Sequence, residues 1–331
     1  MKTSISKKLF ISLLFFVLAG IFSPFFGAVK INLYKVFAPG TTDYLIFWYQ
    51  RLPRVILGLI AGGGLAVSGA SFQGILRNPL ATPYTLGMSS AAAFGASLSL
   101  WIPSLYFSVG PIKGPAFSAF LFAVFEILII YTIARKKTKG IRLDTLLLAG
   151  IAIGLVFSSG IIGIRYIASP HLLVEMERWL LGGLNVNGWE DPAAVIPFLF
   201  PCVTALIFLS KNINYYSFGE EMAYNFGVNP DKLKKNTFFF SALLTSSIVS
   251  QTGPIGFVGL IVPHGVRILF GPDFRIIIPS SFFFGGGILA VSDAVARSII
   301  APTEIPVGLF TSLIGGPVFV ILLIRSRLKY F

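Results

Sequence analysis

Apolar residues run along this chain in blocks near 20 residues long, and the polar and charged residues collect in the short breaks between them. A helix needs about 20 apolar residues to cross hydrocarbon, so the spacing predicts membrane-spanning helices. Breaks at charges and at Gly/Pro punctuation place ten of them, at 9–28, 53–76, 85–107, 115–134, 143–167, 193–210, 236–252, 256–270, 276–297 and 306–324. The predicted fold is therefore all-α and polytopic, one transmembrane domain over 1–331 with no soluble module. The seventh and eighth blocks are short and meet at Gly253-Pro254, inside "GPIGFVGLIVPHGVRILFGPDFR" (253–275). A tight turn and a short helix are expected there. Irregular backbone survives at membrane depth only where protein or a watery cavity surrounds it, so this stretch belongs inside the bundle.

Composition turns that expectation into an exclusion. Of 331 residues, 55% are hydrophobic and 12% charged, with a mean hydropathy of +0.83. A water-facing surface needs far more charge. The net charge of +13 suits nucleic acid in a soluble protein, but here it marks cytoplasmic loops. Ten spans put both termini on one side. With that side cytoplasmic, eighteen of the 26 Lys and Arg fall inside, "ARKKTKGIR" (134–142) foremost. The expected location is the cell (inner) membrane, multi-pass, with lipid as its surroundings and no nucleic acid as partner. The lysines and apolar run at the N-terminus imitate a secretory signal, but the run from Leu9 to Phe26 is long for one and reads as a retained first span. A single cysteine, Cys202, excludes an internal disulfide. "GGGLAVSGA" (62–70) resembles "GGGILAVSDA" (285–294), and small-residue blocks of this kind serve close helix packing in lipid.

Catalytic chemistry is missing. His171 and His264 have no acidic or Cys neighbour at metal-ligand spacing, so no metal site is expected. No G-x-x-x-x-G-K-[ST] loop is present for ATP, and no nucleophile elbow. His264, at a helix end before a glycine, reads as a structural hydrogen-bonding residue. Glu126 lies midway along the fourth block, where a carboxylate is either functional or neutralised. Asp293 and Arg297, at i and i+4, favour a local ion pair.

Two stretches between spans carry recognisable surface features. In "YSFGEEMAYNFGVNPDKLKK" (216–235), Ser217 followed by Glu220 forms a capping-box pattern, Gly227 supplies a stop, and Asn229-Pro230 starts another helix. A short helix at about 218–226 is thus presented to the cytoplasm, with Met222, Tyr224 and Phe226 along it. It could lie on the membrane surface or insert into a partner's cleft. At the opposite end, "YQRLPRVIL" (49–57) sets Arg51 and Arg54 one turn apart, as snorkelling anchors or as a dock for an acidic partner.

These pieces in series resemble the FecCD/BtuC family of ABC-transporter permeases: "RLPR" (51–54), "SGASFQGILRNPLATPYTLGMSSAAAFGA" (68–96), "WLLGGLNVNGW" (179–189), "FGEEMAYNFGV" (218–228), "GPIGFVGLIVPHGVR" (253–267), "SDAVAR" (292–297) and "EIPVGLFTSLIGGPVF" (304–319). The resemblance implies a ten-span permease subunit of an importer for iron–siderophore, haem or cobalamin, working as a homodimer and not itself an enzyme. It implies two ATP-binding subunits that hold the ATP and magnesium, so no cofactor is bound by this chain. They would grip a coupling segment at about 217–228, through Glu220, Glu221, Met222, Ala223, Phe226 and Gly227. An extracytoplasmic binding protein would dock on Arg51, Arg54 and Arg297. A cytoplasmic gate maps to Leu143 and Asp144, where the chain departs from the small hydroxyl residues of the family, and Gly253, Pro254, Gly256, Pro263 and His264 map to a structural hinge. An ion-coupled secondary transporter is the alternative; the few ionisable groups in the spans argue against it, as the missing catalytic clusters argue against a membrane enzyme.

Overall fold

Each apolar block is a helix in the computed structural model, which describes residues 5–327 apart from 111, 113, 137–139, 142 and 187. Lys137, Lys139 and Arg142 of the basic turn, and Asn187, therefore lie outside the described residues. Ten helices answer the ten blocks: α1 (Ile5–Phe22), α3 (Leu52–Leu76), α4 (Met88–Trp101), α5 (Pro115–Ala134), α6 (Leu143–Ile167), α8 (Glu190–Ser217), α10 (Pro230–Thr252), α11 (Val258–Phe270), α12 (Phe274–Ile299) and α13 (Val307–Arg327). Three short helices stand between them, α2 (Thr42–Leu45), α7 (Pro170–Leu180) and α9 (Glu220–Asn225). The described strands are two residues each, β1 (Arg135–Lys136) and β2 (Gly140–Ile141), an antiparallel hairpin in the basic turn. Six of the helices, some with their flanking turns, are long and apolar enough to cross a membrane.

Several boundaries differ from the pattern, each for a local reason. α4 is 14 residues, shorter than its block, because Gly87 (φ 87°) turns the chain at its start and Pro103 follows its end. α10 begins at Pro230 rather than 236, since the Asn229 side chain accepts from Lys232 N at 3.0 Å and caps a helix whose first turns are polar. Ahead of α3, Ile46–Arg51 forms a π-helical stretch that the apolar pattern does not signal.

α3 is the axis of the bundle. From Ala61 to Leu76 every residue is buried, against α12, α8, α10 and α11. The two resembling glycine blocks face each other across this centre. A Cβ on Gly62 would strike the Gly285 carbonyl, and a Cβ on Gly285 would strike that of Gly62, so the backbones of α3 and α12 touch. Their likeness is one packing surface seen from two sides. α1 lies on α12 through rings, Phe15 on Phe284 at 5.4 Å and Phe16 on Phe283 at 5.6 Å, and Lys8 Nζ donates to Phe270 O at 2.6 Å. α6, by contrast, turns Leu148, Leu155, Val156 and Ile162 outward, each about two-thirds exposed. In a soluble protein such a face would be untenable; in hydrocarbon it is the expected outer wall.

Candidate functional site

At the end of the bundle where α3 begins, the three predicted arginines meet, but not as a free basic patch. Arg51, placed by the π-helical turn, is buried; its guanidinium donates to Pro24 O and Phe25 O, both at 3.3 Å, and to Val29 O. Arg54 grips Asp293 through two nitrogens, Nε at 3.0 Å and Nη2 at 2.9 Å, and donates from Nη1 to Glu304 Oε2 at 2.6 Å. Arg297 is buried as well, donating to Ser23 O at 3.0 Å; its Nε lies 3.3 Å from Asp293 Oδ2, an ion pair without hydrogen-bond alignment. The i,i+4 pair expected from the sequence is present, and Arg54 shares its carboxylate. Two guanidiniums thus share the Asp293 carboxylate, Arg54 also holds Glu304, Arg51 stands beside them on backbone carbonyls, and of the five groups Glu304 is the most exposed. All but Asp293 line a cavity of ≈ 740 Å³ together with Gln50 and Asn185. The expectation of a solvent-facing Arg51–Arg54 pair is corrected: burial against backbone carbonyls removes Arg51 from the surface, and Arg54 reaches the rim through Glu304. Glu304 was missed because only its place in the quoted "EIPVGLF" hinted at a role.

At the opposite end stands α9. Its six residues start after Gly219 and stop at Gly227, whose φ of 75° closes the turn, as the sequence indicated. The capping box does not form. α8 runs on to Ser217, so that hydroxyl is consumed by its own helix, donating to Asn214 O at 2.7 Å. Glu220 turns away to Lys234 of α10, whose Nζ lies 2.7 Å from Oε1, and accepts from the Tyr216 hydroxyl at 3.3 Å. The hydrogen bond from Lys234 holds the Glu220 carboxyl below its ordinary value. Met222, Tyr224 and Phe226 are exposed, Phe226 with one face stacked on Tyr215 at 4.5 Å, whereas Ala223 is buried beneath them. Ala223 is an anchor of α9, and the outward groups are Met222, Tyr224, Phe226 and Glu221.

The broken stretch lies inside protein. Gly253 (φ 63°) ends α10, and Phe257 (φ 65°), a non-glycine in left-handed geometry, precedes α11. Its backbone polar groups find partners: Tyr84 Oη accepts from Ile255 N at 2.8 Å, and Thr252 O accepts from Gly183 N at 2.8 Å. Gly253 is needed twice, for its φ and because a Cβ there would meet the Trp179 carbonyl. Pro263 sits within α11 rather than at a turn. Having no N–H, it leaves the Gly259 carbonyl unclaimed by its helix, and that oxygen abuts the bare face of Gly69 on α3. Gly256 lies in the turn, and His264 is half-buried on α11 with no hydrogen bond among the described residues, so the structural hydrogen bond expected of it is absent.

Leu143 and Asp144 open α6, Leu143 half-buried and Asp144 exposed in the first turn, where a carboxylate suits the helix dipole. Glu126 is fully buried on α5, and neither oxygen has a hydrogen-bond partner in the structure. It is wedged against Gly87.

The chain is similar to known proteins along nearly its whole length. A model of the FecCD transport family matches residues 13–325. The chain is 35% identical over 321 residues to the hemin transport system permease protein HmuU of Yersinia pestis, covering 95% of this chain and 94% of that one. It is 38% identical over 286 residues to the cobalamin import system permease protein BtuC of Halobacterium salinarum, covering 86% and 75%. A solved chain described as the inward-facing conformation of a metal-chelate type ABC transporter superposes with a TM-score of 0.84 at 31% identity, over 97% of this chain and 100% of that one.

Proposed function

This chain belongs to the FecCD transport family, and from that membership we propose that it is the permease subunit of an ATP-driven importer for a metal chelate of the iron–siderophore, haem or cobalamin class. Two copies enclose the path, in a cell membrane with both termini cytoplasmic. Two separate ATP-binding subunits carry the ATP and magnesium, and this chain binds no cofactor of its own. An extracytoplasmic binding protein delivers the chelate to the end where Arg51, Arg54 and Arg297 converge. Its carboxylates reach Arg54 at the rim, while Arg51 and Arg297 hold the cavity wall in shape. Leu143 and Asp144 stand at the cytoplasmic mouth, and the break at 253–257, with Pro263 and His264 on the helix that follows it, is the hinge beside the path.

The observation that carries this reading is α9. A six-residue helix showing Met222, Tyr224 and Glu221 to the outside, yet pinned by ion pair and stacking to α8 and α10, is shaped to enter a partner's cleft. Met222→Asp places a charge on that apolar contact and leaves the bundle untouched, so the purified variant should lose its co-eluting ATPase while the spans stay folded. Wild-type stoichiometry in the variant would move the contact elsewhere.

A further inference from the structure

The Lys234 ammonium is almost entirely buried, its side chain 5% exposed. A buried charge is costly unless paired. Its partner is Glu220 Oε1 at 2.7 Å, on α9, with Asp231 Oδ1 at 3.8 Å on its own helix and the Tyr216 ring 5.8 Å away. Tyr216 is itself fully buried and ties the same cluster to α3: Arg77 Nη2 donates to Tyr216 O at 2.7 Å, and the guanidinium lies 4.3 Å from the ring centre. Arg77 is the left-handed residue (φ 48°) that ends α3. One cluster therefore joins α9 to the ends of α3, α8 and α10.

A six-residue helix has too few internal bonds to keep its own orientation, so α9 moves as its attachments allow. α10, by contrast, is 23 residues long, roughly 34 Å at the usual helical rise, and runs without a proline after its first turn to Gly253. Its near end holds Lys234; its far end is the irregular turn whose Ile255 N–H is held by Tyr84.

We infer that Lys234 is the positioning residue through which displacement of α9 is passed along α10 to the turn at 253–257, so that nucleotide-driven motion at the cytoplasmic face reaches the interior of the bundle through the ion pair of a buried lysine with the half-exposed Glu220. The inference rests on α9 being the ATPase contact proposed above. Its removal uncouples the turn from α9 without detaching the ATPase, because the outward face of α9 is unchanged.

The test is hydrogen exchange of the whole complex with its ATPase subunits, nucleotide-free and trapped with ATP and vanadate. In wild type, peptides covering α9 and the amides of Gly253, Ile255, Gly256 and Phe257 both change between the two states, the latter by roughly tenfold in exchange rate. In Lys234→Met the α9 response remains and that at 253–257 collapses; Lys234→Arg, which keeps the charge, retains it. Glu220→Gln removes the other charge of the pair while leaving the outward groups of α9 unchanged, and it weakens the response at 253–257; it serves where Lys234→Met fails to accumulate. A full response at 253–257 in Lys234→Met, or in Glu220→Gln, overturns the inference, as does a wild-type complex in which α9 responds and 253–257 does not. A wild-type chain that binds no ATPase strikes the proposed function instead.

Discussion

Arg54 and Asp293, 239 positions apart in the chain, form a two-point guanidinium–carboxylate pair with contacts of 2.9–3.1 Å, and the Asp293 side chain is 1% exposed. Because Asp293 also faces Arg297 at 3.3 Å, one carboxylate balances two cations where α3 and α12 meet. Removing one partner of a buried pair leaves an uncompensated charge at a cost of roughly 3–5 kcal/mol. Asp293→Ala should therefore lower thermal stability in detergent far more than Glu304→Ala, whose carboxylate is 45% exposed. Equal effects would mean that Asp293 carries no special burden.

The facing glycines make a second prediction. Gly62→Ala puts a methyl group into the Gly285 carbonyl, which belongs to backbone and cannot swing aside. Overpacking of this kind costs roughly 1–3 kcal/mol. The measurement is thermal unfolding of the purified variant beside Gly163→Ala, where the added carbon meets nothing within 4 Å. Equal melting temperatures would contradict the packing described.

Acid should loosen the start of α12. The hydrogen bond from Arg275, helped by Asn214, holds the Asp273 carboxyl down at about 2, and its oxygen caps the helix by accepting from Arg275 N. A depressed carboxylate stabilises the fold above its unfolded value, near 4. That contribution fades as pH falls from about 4 through about 2. Asp273→Asn should lack this acid-dependent step in melting temperature; an identical acid limb would remove Asp273 from the account.

The helices were legible because hydrocarbon imposes one length on every apolar block, and the facing glycines because close backbones leave only small residues. The surface network was not. Ser217 and Glu220 have capping-box spacing, yet α8 runs through Ser217, and Glu220 prefers a buried cation fourteen positions on. Arg51 and Arg54 read as one exposed patch at one-turn spacing. Their partners lie at Pro24, Phe25, Val29, Asp293 and Glu304, contacts that no local pattern encodes. α7 went unseen among the spans although Ser169-Pro170 marks its start, because its 11 residues are too few to count as membrane.

The Arg54–Glu304 contact bears on docking. If a binding protein offers carboxylates to Arg54, Glu304 competes with them, and Glu304→Gln should bind that protein several-fold faster at low salt, with the gain shrinking as salt screens exposed charges over about 8–10 Å. Surface plasmon resonance on the reconstituted transporter reads this directly. An unchanged or slower association rate would leave Arg54 a structural residue.

On the function proposed above, this chain is a passive path whose work is done by ATP on other subunits. The decisive experiment is uptake of a chelate delivered by the proposed binding protein, measured in proteoliposomes with and without the ATPase subunits. Accumulation should require both the ATPase and internal-face ATP, and vesicles holding this chain alone should neither hydrolyse ATP nor accumulate chelate under an imposed proton or sodium gradient. Gradient-driven accumulation by the chain alone would contradict the account and turn attention to Glu126, the buried carboxylate on α5.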